Sequence, residues 1–180
     1  LRTKIKFSFT ISVFYGKIMI SDNQFVKGVV KNMILNFSVE NFHGIKNRNV
    51  IDFTASADRS LSDRLITAGR KNVLPAVILY GENSSGKTTV LKALMTMREM
   101  VCGKYSHLFK GSRLPFEPFA LAGEKQVPTV FETEFIYEDV RYLYGFSYNA
   151  EKILSEKLYY WPNGREALDY IKENAGECNC

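Results

Sequence analysis

Gly81-Glu82-Asn83-Ser84-Ser85-Gly86-Lys87-Thr88 has the spacing Gly-x-x-x-x-Gly-Lys-Thr and stands between an apolar run and an amphipathic one. Its two glycines allow backbone angles and close approach that a side chain blocks, so successive N–H groups converge on phosphate oxygens at a positive helix end. Lys87 is then placed to meet the β- and γ-phosphates. The Thr88 hydroxyl suits magnesium, a hard cation that takes oxygen ligands and bridges those phosphates. Thr89 adds a hydroxyl near the α-phosphate. The stretch predicts a nucleoside triphosphate held by Gly81, Glu82, Asn83, Ser84, Ser85, Gly86, Lys87, Thr88 and Thr89, with Thr88 as metal ligand.

The flanks decide against the plain alternative, a Gly/Ser-rich turn before a helix. Leu74-Pro75-Ala76-Val77-Ile78-Leu79-Tyr80 is uninterrupted and apolar, as in a strand covered on both faces of a sheet. From Lys87 onward, Val90, Leu91, Leu94, Met95, Met97 and Val101 recur at helical spacing, with Gly103 as a stop.

With 180 residues and 46% hydrophobic content, the chain can bury one good core. Cys102, Cys178 and Cys180 do not make a disulfide framework, which fits a reducing cytoplasm. Cys178-x-Cys180 has no second pair or nearby His to complete a metal site, and reads as part of a frayed terminus. The net charge of +5 is uneven. Arg2, Lys4, Lys6, Lys17, Lys27 and Lys31 against Asp22 alone place it all in residues 1–32, and the rest of the chain is balanced. Bulk charge over the body therefore gives nucleic-acid binding no support.

The same leader begins at Leu1, and its Ile5, Phe7, Phe9, Ile11 and Val13 alternate like a strand without an obvious partner. Ser8, Thr10, Ser12 and Lys17 interrupt any secretory apolar stretch, and nothing approaches the roughly 18 apolar residues of a membrane span. Met33 is a credible start. Residues 1–32 then read as translated upstream sequence, or alternatively as an extra edge strand.

From Met33, Leu35, Phe37 and Val39 alternate with Asn36, Ser38 and Glu40 as a half-buried strand, Asn41 to Lys46 turns, and Val50 to Phe53 returns. Residues 54–72 read as a polar loop or short helix. Residues 103–128, punctuated by Gly111, Pro115, Pro118, Gly123 and Pro128, read as an irregular connection. An antiparallel meander follows: Thr129 to Tyr137, a turn at Glu138-Asp139, Val140 to Tyr148, a turn at residues 149–152, and Ile153 to Trp161. Its aromatic face is core rather than a base-stacking platform, since few basic residues accompany it. Residues 166–171 start like a short helix before the pattern is lost.

Met33-Ile34-Leu35-Asn36-Phe37-Ser38-Val39-Glu40-Asn41-Phe42, the phosphate loop, Tyr142-Leu143-Tyr144-Gly145-Phe146 and Leu158-Tyr159-Tyr160 together resemble the N-terminal part of bacterial AAA-type ATPases with an ABC/SMC-like head. The likeness is to RloA- and AbiLii-like proteins, more distantly to the OLD and RecF families, and covers residues 33–165. It implies an α/β P-loop NTPase fold of ABC/SMC-head type, N-terminal lobe only, carrying an antiparallel β-meander. It implies ATP with Mg2+, a homodimer with ATP sandwiched between two heads, and a role in anti-phage defence or restriction beside a nuclease or toxin partner. By the same analogy Asn41 lies close to the nucleotide; otherwise it is a turn residue serving its own backbone. His43 reads as a solvent-facing loop residue.

The sequence departs from that family where hydrolysis is concerned. An apolar strand ending in Asp-Glu holds magnesium and polarises the attacking water in such enzymes. Phe135-Ile136-Tyr137-Glu138-Asp139 is instead a hairpin turn, Leu154-Ser155-Glu156-Lys157 is no substitute for a Leu-Ser-Gly-Gly signature, and Gln126 lies in a Pro-bounded loop. No catalytic residue is assigned, and residues 166–180 read as a truncated tail. The expectation is ATP binding with negligible turnover by this piece alone. The alternatives are a self-contained P-loop kinase-like module, a degraded or non-catalytic fragment, and a piece of a DNA-associated RecF/SMC-like repair ATPase.

Overall fold

The computed structural model describes residues 10–14, 17–21, 32–56, 62–102, 113–121, 127–162 and 167–173. The meander organises them. Strands β8 (Thr129–Tyr137) and β9 (Val140–Tyr148) pair in one continuous register from Thr129↔Tyr148 to Tyr137↔Val140. Glu138 and Asp139 join them with φ of 48° and 66°. Positive φ at both central residues of a two-residue loop twists the backbone to match its strands, so this acidic pair is a hairpin turn.

β10 (Ile153–Trp161) adds to β9, and β3 (Asn32–Glu40) adds to the other side of β8. β4 (Asn49–Asp52) and β11 (Ala167–Glu173) complete a six-stranded sheet in the order β11-β10-β9-β8-β3-β4. The helix expected at residues 166–171 is therefore a strand. The exposed edge of β10 offers a full ladder of backbone partners, from Ser155↔Glu173 to Tyr160↔Ala167, which a single helical turn at a chain's margin cannot match.

Alternation sorts the sheet into two faces. Phe131, Phe135, Phe146 and Tyr148 are buried on one, together with Phe37 and Val39 of β3. Phe131 has no exposure, and its ring lies 5.5 to 6.1 Å from the rings of Phe37, Phe42, Phe146 and Tyr148. Leu91, Ala93, Leu94 and Met97 of α1 (Lys87–Val101) join the same core. Met95, counted with the helix's apolar stripe in the sequence, is 46% exposed because it falls outside this arc. Gly145 is required by close approach: a Cβ there would lie 3.0 Å from the Phe131 carbonyl oxygen.

The opposite face carries charge in pairs. Glu132 meets Arg48 and, at 2.7 Å, Lys157; Glu134 meets Arg141 and accepts from Asn36 at 2.9 Å; the Arg141 guanidinium lies 4.2 Å from the Trp161 ring centre. Burial pushes the Glu132 pKa up, but the Lys157 ammonium and Arg48 outweigh it and the net direction is below the ordinary value. A depressed carboxylate contributes stability above its unfolded pKa and loses it as pH falls through the folded one. Glu132→Gln is accordingly expected to cost about 1 kcal/mol at pH 7, the partners being half-exposed, and to flatten the acid limb of the thermal-stability profile below about pH 4.3. Parallel melting curves for both proteins from pH 7 to 3 would contradict this.

The phosphate-loop strand β7 (Ala76–Leu79) lies in a second sheet, ordered β1-β2-β7, with β1 (Thr10–Phe14) and β2 (Lys17–Ser21). The sequence predicts a strand covered on both faces, and the structure differs. Val77 and Leu79 pack on the core, whereas Ile78 is 51% and Tyr80 84% exposed. Its partner is the antiparallel β2, and no described element covers the Ile78 side. Every strand pair among the described residues is antiparallel, so the expected α/β architecture is present only in part, as a mainly antiparallel sheet structure with one α-helix. Residues 54–72, read as loop or short helix, include a 3-10 turn at Ser62–Arg64 and the hairpin β5 (Ile66–Ala68) and β6 (Lys71–Val73). Gly69, with φ of 54°, turns it.

Candidate functional site

The chain leaves β7 at Tyr80 and enters a loop whose residues 81–85 are all exposed. Two different constraints demand its glycines. Gly81 is extended, but a Cβ there would lie 2.9 Å from Ser85 Oγ. Gly86 has space around it and instead a φ of 89°, the left-handed region that costs an L-residue about 1–2 kcal/mol. Ser84, at φ 66°, carries the reversal between them.

Gly86 is also the N-cap of α1, and it supplies no side-chain bond to the first turn. No acid occupies that turn. The free N–H groups and the positive end of the helix dipole therefore face the loop without the anionic side chain that ordinarily compensates them. Lys87 adds a full charge at the same point. Its Nζ donates to the Gly81 carbonyl at 2.7 Å, the Glu82 carbonyl at 2.6 Å and Ser85 Oγ at 3.3 Å. Those three acceptors match the three protons of an ammonium and hold it within the loop. Thr88 is exposed and Thr89 half-buried on the first helical turn. Gly81 to Thr89 are thus brought together as one turn closed by the Lys87 ammonium.

Asn41 is placed differently. It is 3% exposed with φ of 51°, its Nδ2 donates to the Val127 carbonyl, and its Oδ1 accepts from the Phe119 N–H at 3.0 Å. Its own carbonyl accepts from Thr129 Oγ1 at 2.6 Å. Among the described residues its amide reaches the 113–128 connection and no residue of the 81–88 loop. His43 is not simply solvent-facing: its Nε2 lies 2.9 Å from Glu117 Oε2, and its N–H donates to the Glu117 carbonyl at 2.7 Å. The turn's left-handed backbone at Asn41 and His43 aims both residues at the connection.

Ser85 escaped the sequence reading as a specific partner of Lys87. The motif fixes the lysine and leaves the position open, so only the loop's closure shows that the hydroxyl lies within reach. Gly145 and the Glu132 ion pairs were missed as well; outward-facing, oppositely charged positions on neighbouring strands were the available signal. Gln126, Cys178 and Cys180 lie outside the described residues, and Cys102 is exposed at the end of α1. Among the described residues no three His, Cys, Asp or Glu side chains gather as a metal site, and no helix is long and apolar enough to cross a membrane.

No curated protein matches the chain. Residues 76–177 match a family described as "AAA domain, putative AbiEii toxin, Type IV TA system". The match opens on β7 and runs through the phosphate loop, α1 and the meander, more than half of the 180 residues. The chain therefore belongs to this family of AAA-type ATPase domains.

Proposed function

We propose that residues 81–89 form a Walker A phosphate-binding loop for ATP with magnesium. The supporting observation is the uncapped start of α1 with the Lys87 ammonium held against Gly81, Glu82 and Ser85. The geometry fits a polyphosphate. The glycine turn leaves room for oxygens beside the backbone N–H groups, and Lys87 exchanges neutral carbonyl acceptors for anionic ones, a stronger bond for the same donor. Thr88 is the oxygen ligand offered to magnesium, which when bound bridges and neutralises phosphate charge. Asn41 is not part of this cradle: it ties the 41–46 turn to the chain at Phe119 and Val127.

The wider role follows from resemblance. An ABC/SMC-type head of RloA- or AbiLii-like kind, distantly OLD- or RecF-like, pairs with a second copy through ATP and works in cytoplasmic anti-phage defence, restriction or a toxin–antitoxin system with a partner protein. The family description, naming a type IV toxin–antitoxin system, supports that direction. Residues 33–165 are the N-terminal lobe in this reading. Hydrolysis requires acidic and signature groups beyond those described, because Glu138 and Asp139 are spent on a hairpin turn.

The test is to incubate the purified chain with radiolabelled ATP and magnesium and follow both retention and ADP release. Retention with ADP at background level is expected. Turnover on the order of one per second, an ordinary enzymatic rate, would overturn the division of labour proposed here.

A further inference from the structure

Ser85 is tied into the turn by three separate contacts. Its N–H donates to the Glu82 carbonyl at 3.3 Å, which closes the loop's backbone. Its side chain fills the space that Gly81 leaves open, since a Cβ on Gly81 would lie 2.9 Å from Ser85 Oγ and 3.5 Å from Ser85 Cβ. Its hydroxyl accepts from Lys87 Nζ at 3.3 Å. The first two contacts fix where the hydroxyl stands, and the third passes that position on to the ammonium.

The acceptors of Lys87 are not equivalent. The Gly81 and Glu82 carbonyls are neighbours at one end of the loop, and Ser85 Oγ comes from the other. Two adjacent carbonyls restrain an ammonium on a flexible four-carbon stem less than three points spread across a loop. We propose that Ser85 is a positioning residue whose hydroxyl keeps the Lys87 ammonium inside the turn before a polyphosphate arrives. The inference rests on the phosphate reading of residues 81–89 and deepens it: part of the affinity is preorganisation. A lysine already held gives up little rotamer freedom on binding, whereas an untethered one has to be ordered by the ligand. The Gly-x-x-x-x-Gly-Lys-Thr spacing leaves position 85 open to any residue, so the hydroxyl there is this chain's own feature.

Two readouts on the full chain test this. One is Mg-ATP affinity by titration calorimetry; the other, without nucleotide, is the rate at which acetic anhydride acylates the Lys87 amine, followed by peptide mass spectrometry. Acylation requires the nitrogen to leave its acceptors, so it reports the hold itself, and the exposed Lys92 on the same helix is the internal reference. Ser85→Ala is expected to bind Mg-ATP roughly three- to tenfold more weakly, as for the loss of one ordinary hydrogen bond, and to acylate at Lys87 at least about threefold faster relative to Lys92. Ser85→Thr keeps the hydroxyl, its added methyl has room on an exposed loop, and both readouts should stay within about twofold of wild type. Wild-type acylation in Ser85→Ala overturns the proposal whatever the affinity does, because the residue then does not act through the lysine. Wild-type affinity in Ser85→Ala overturns it too, as does a threonine variant that falls with the alanine one. In each of these cases the phosphate loop stands, because the wild type binds; a wild type that binds no ATP removes both readings together.

Discussion

Lys87→Ala is expected to weaken Mg-ATP binding at least about a hundredfold, close to 2.7 kcal/mol, while leaving the fold intact. Two losses combine. The site forfeits its full positive charge at the start of α1, where no acid and no side-chain cap are present to be compensated. It also forfeits the bonds that the ammonium, released from the Gly81 and Glu82 carbonyls, would donate to phosphate oxygens, and bonds to a charged group are worth about 1.5–3 kcal/mol each. Stability should change little, because α1 is fastened by Leu91, Ala93, Leu94 and Met97 on its buried side. Lys87→Arg separates the two contributions: it keeps the charge, but a planar fork cannot satisfy three acceptors converging on one point. An intermediate affinity is predicted for it, read by titration calorimetry. Full affinity in Lys87→Ala would remove the loop from the binding site.

Phe131→Ala is expected to cost about 3–5 kcal/mol, the largest stability loss at a single described position, and to lower the melting temperature by about 10 °C. Phe131 is fully buried where β8 meets β9 and β3, with four aromatic rings around it, so truncation leaves a cavity whose walls belong to three strands and the 41–46 turn. Phe131→Leu keeps most of the volume and should lose less than half as much. Calorimetric melting checks both. A loss below about 1 kcal/mol for the alanine variant would mean that the meander's aromatic face does not carry the core.

The meander was legible because each strand alternates and each turn announces itself. Phe131, Phe135 and Tyr137 fall at period two, Glu138-Asp139 interrupts, and Tyr142 to Tyr148 resumes the period, so both bounds and pairing follow from local pattern. The start of α1 was equally plain, since Gly86-Lys87-Thr88 fixes it chemically. What escaped depends on partners distant in sequence. Ala167–Glu173 is a strand because β10 has an open edge, and Lys71–Val73 is one because Gly69 folds the chain back onto Ile66–Ala68; neither condition is visible in a window of neighbouring residues. The apolar run at residues 74–80 suggested burial on two faces, but its composition does not say which partner takes which face, and Ile78 and Tyr80 remain exposed.

The site divides along the same line. Gly81 to Thr89 were readable because motif spacing alone encodes the cradle. Asn41 was ambiguous between turn and ligand, and only the positions of Val127 and Phe119, some 80 residues away, show where its amide goes.

The most direct measurement is a side-by-side equilibrium titration of the wild-type chain with ATP, ADP and AMP at saturating magnesium. A cradle built from Gly81, Gly86 and Lys87 for the outer phosphates predicts saturable binding of ATP and ADP and at least about a hundredfold weaker binding of AMP. Indifference among the three nucleotides, or failure to bind any of them, would contradict the phosphate-loop account.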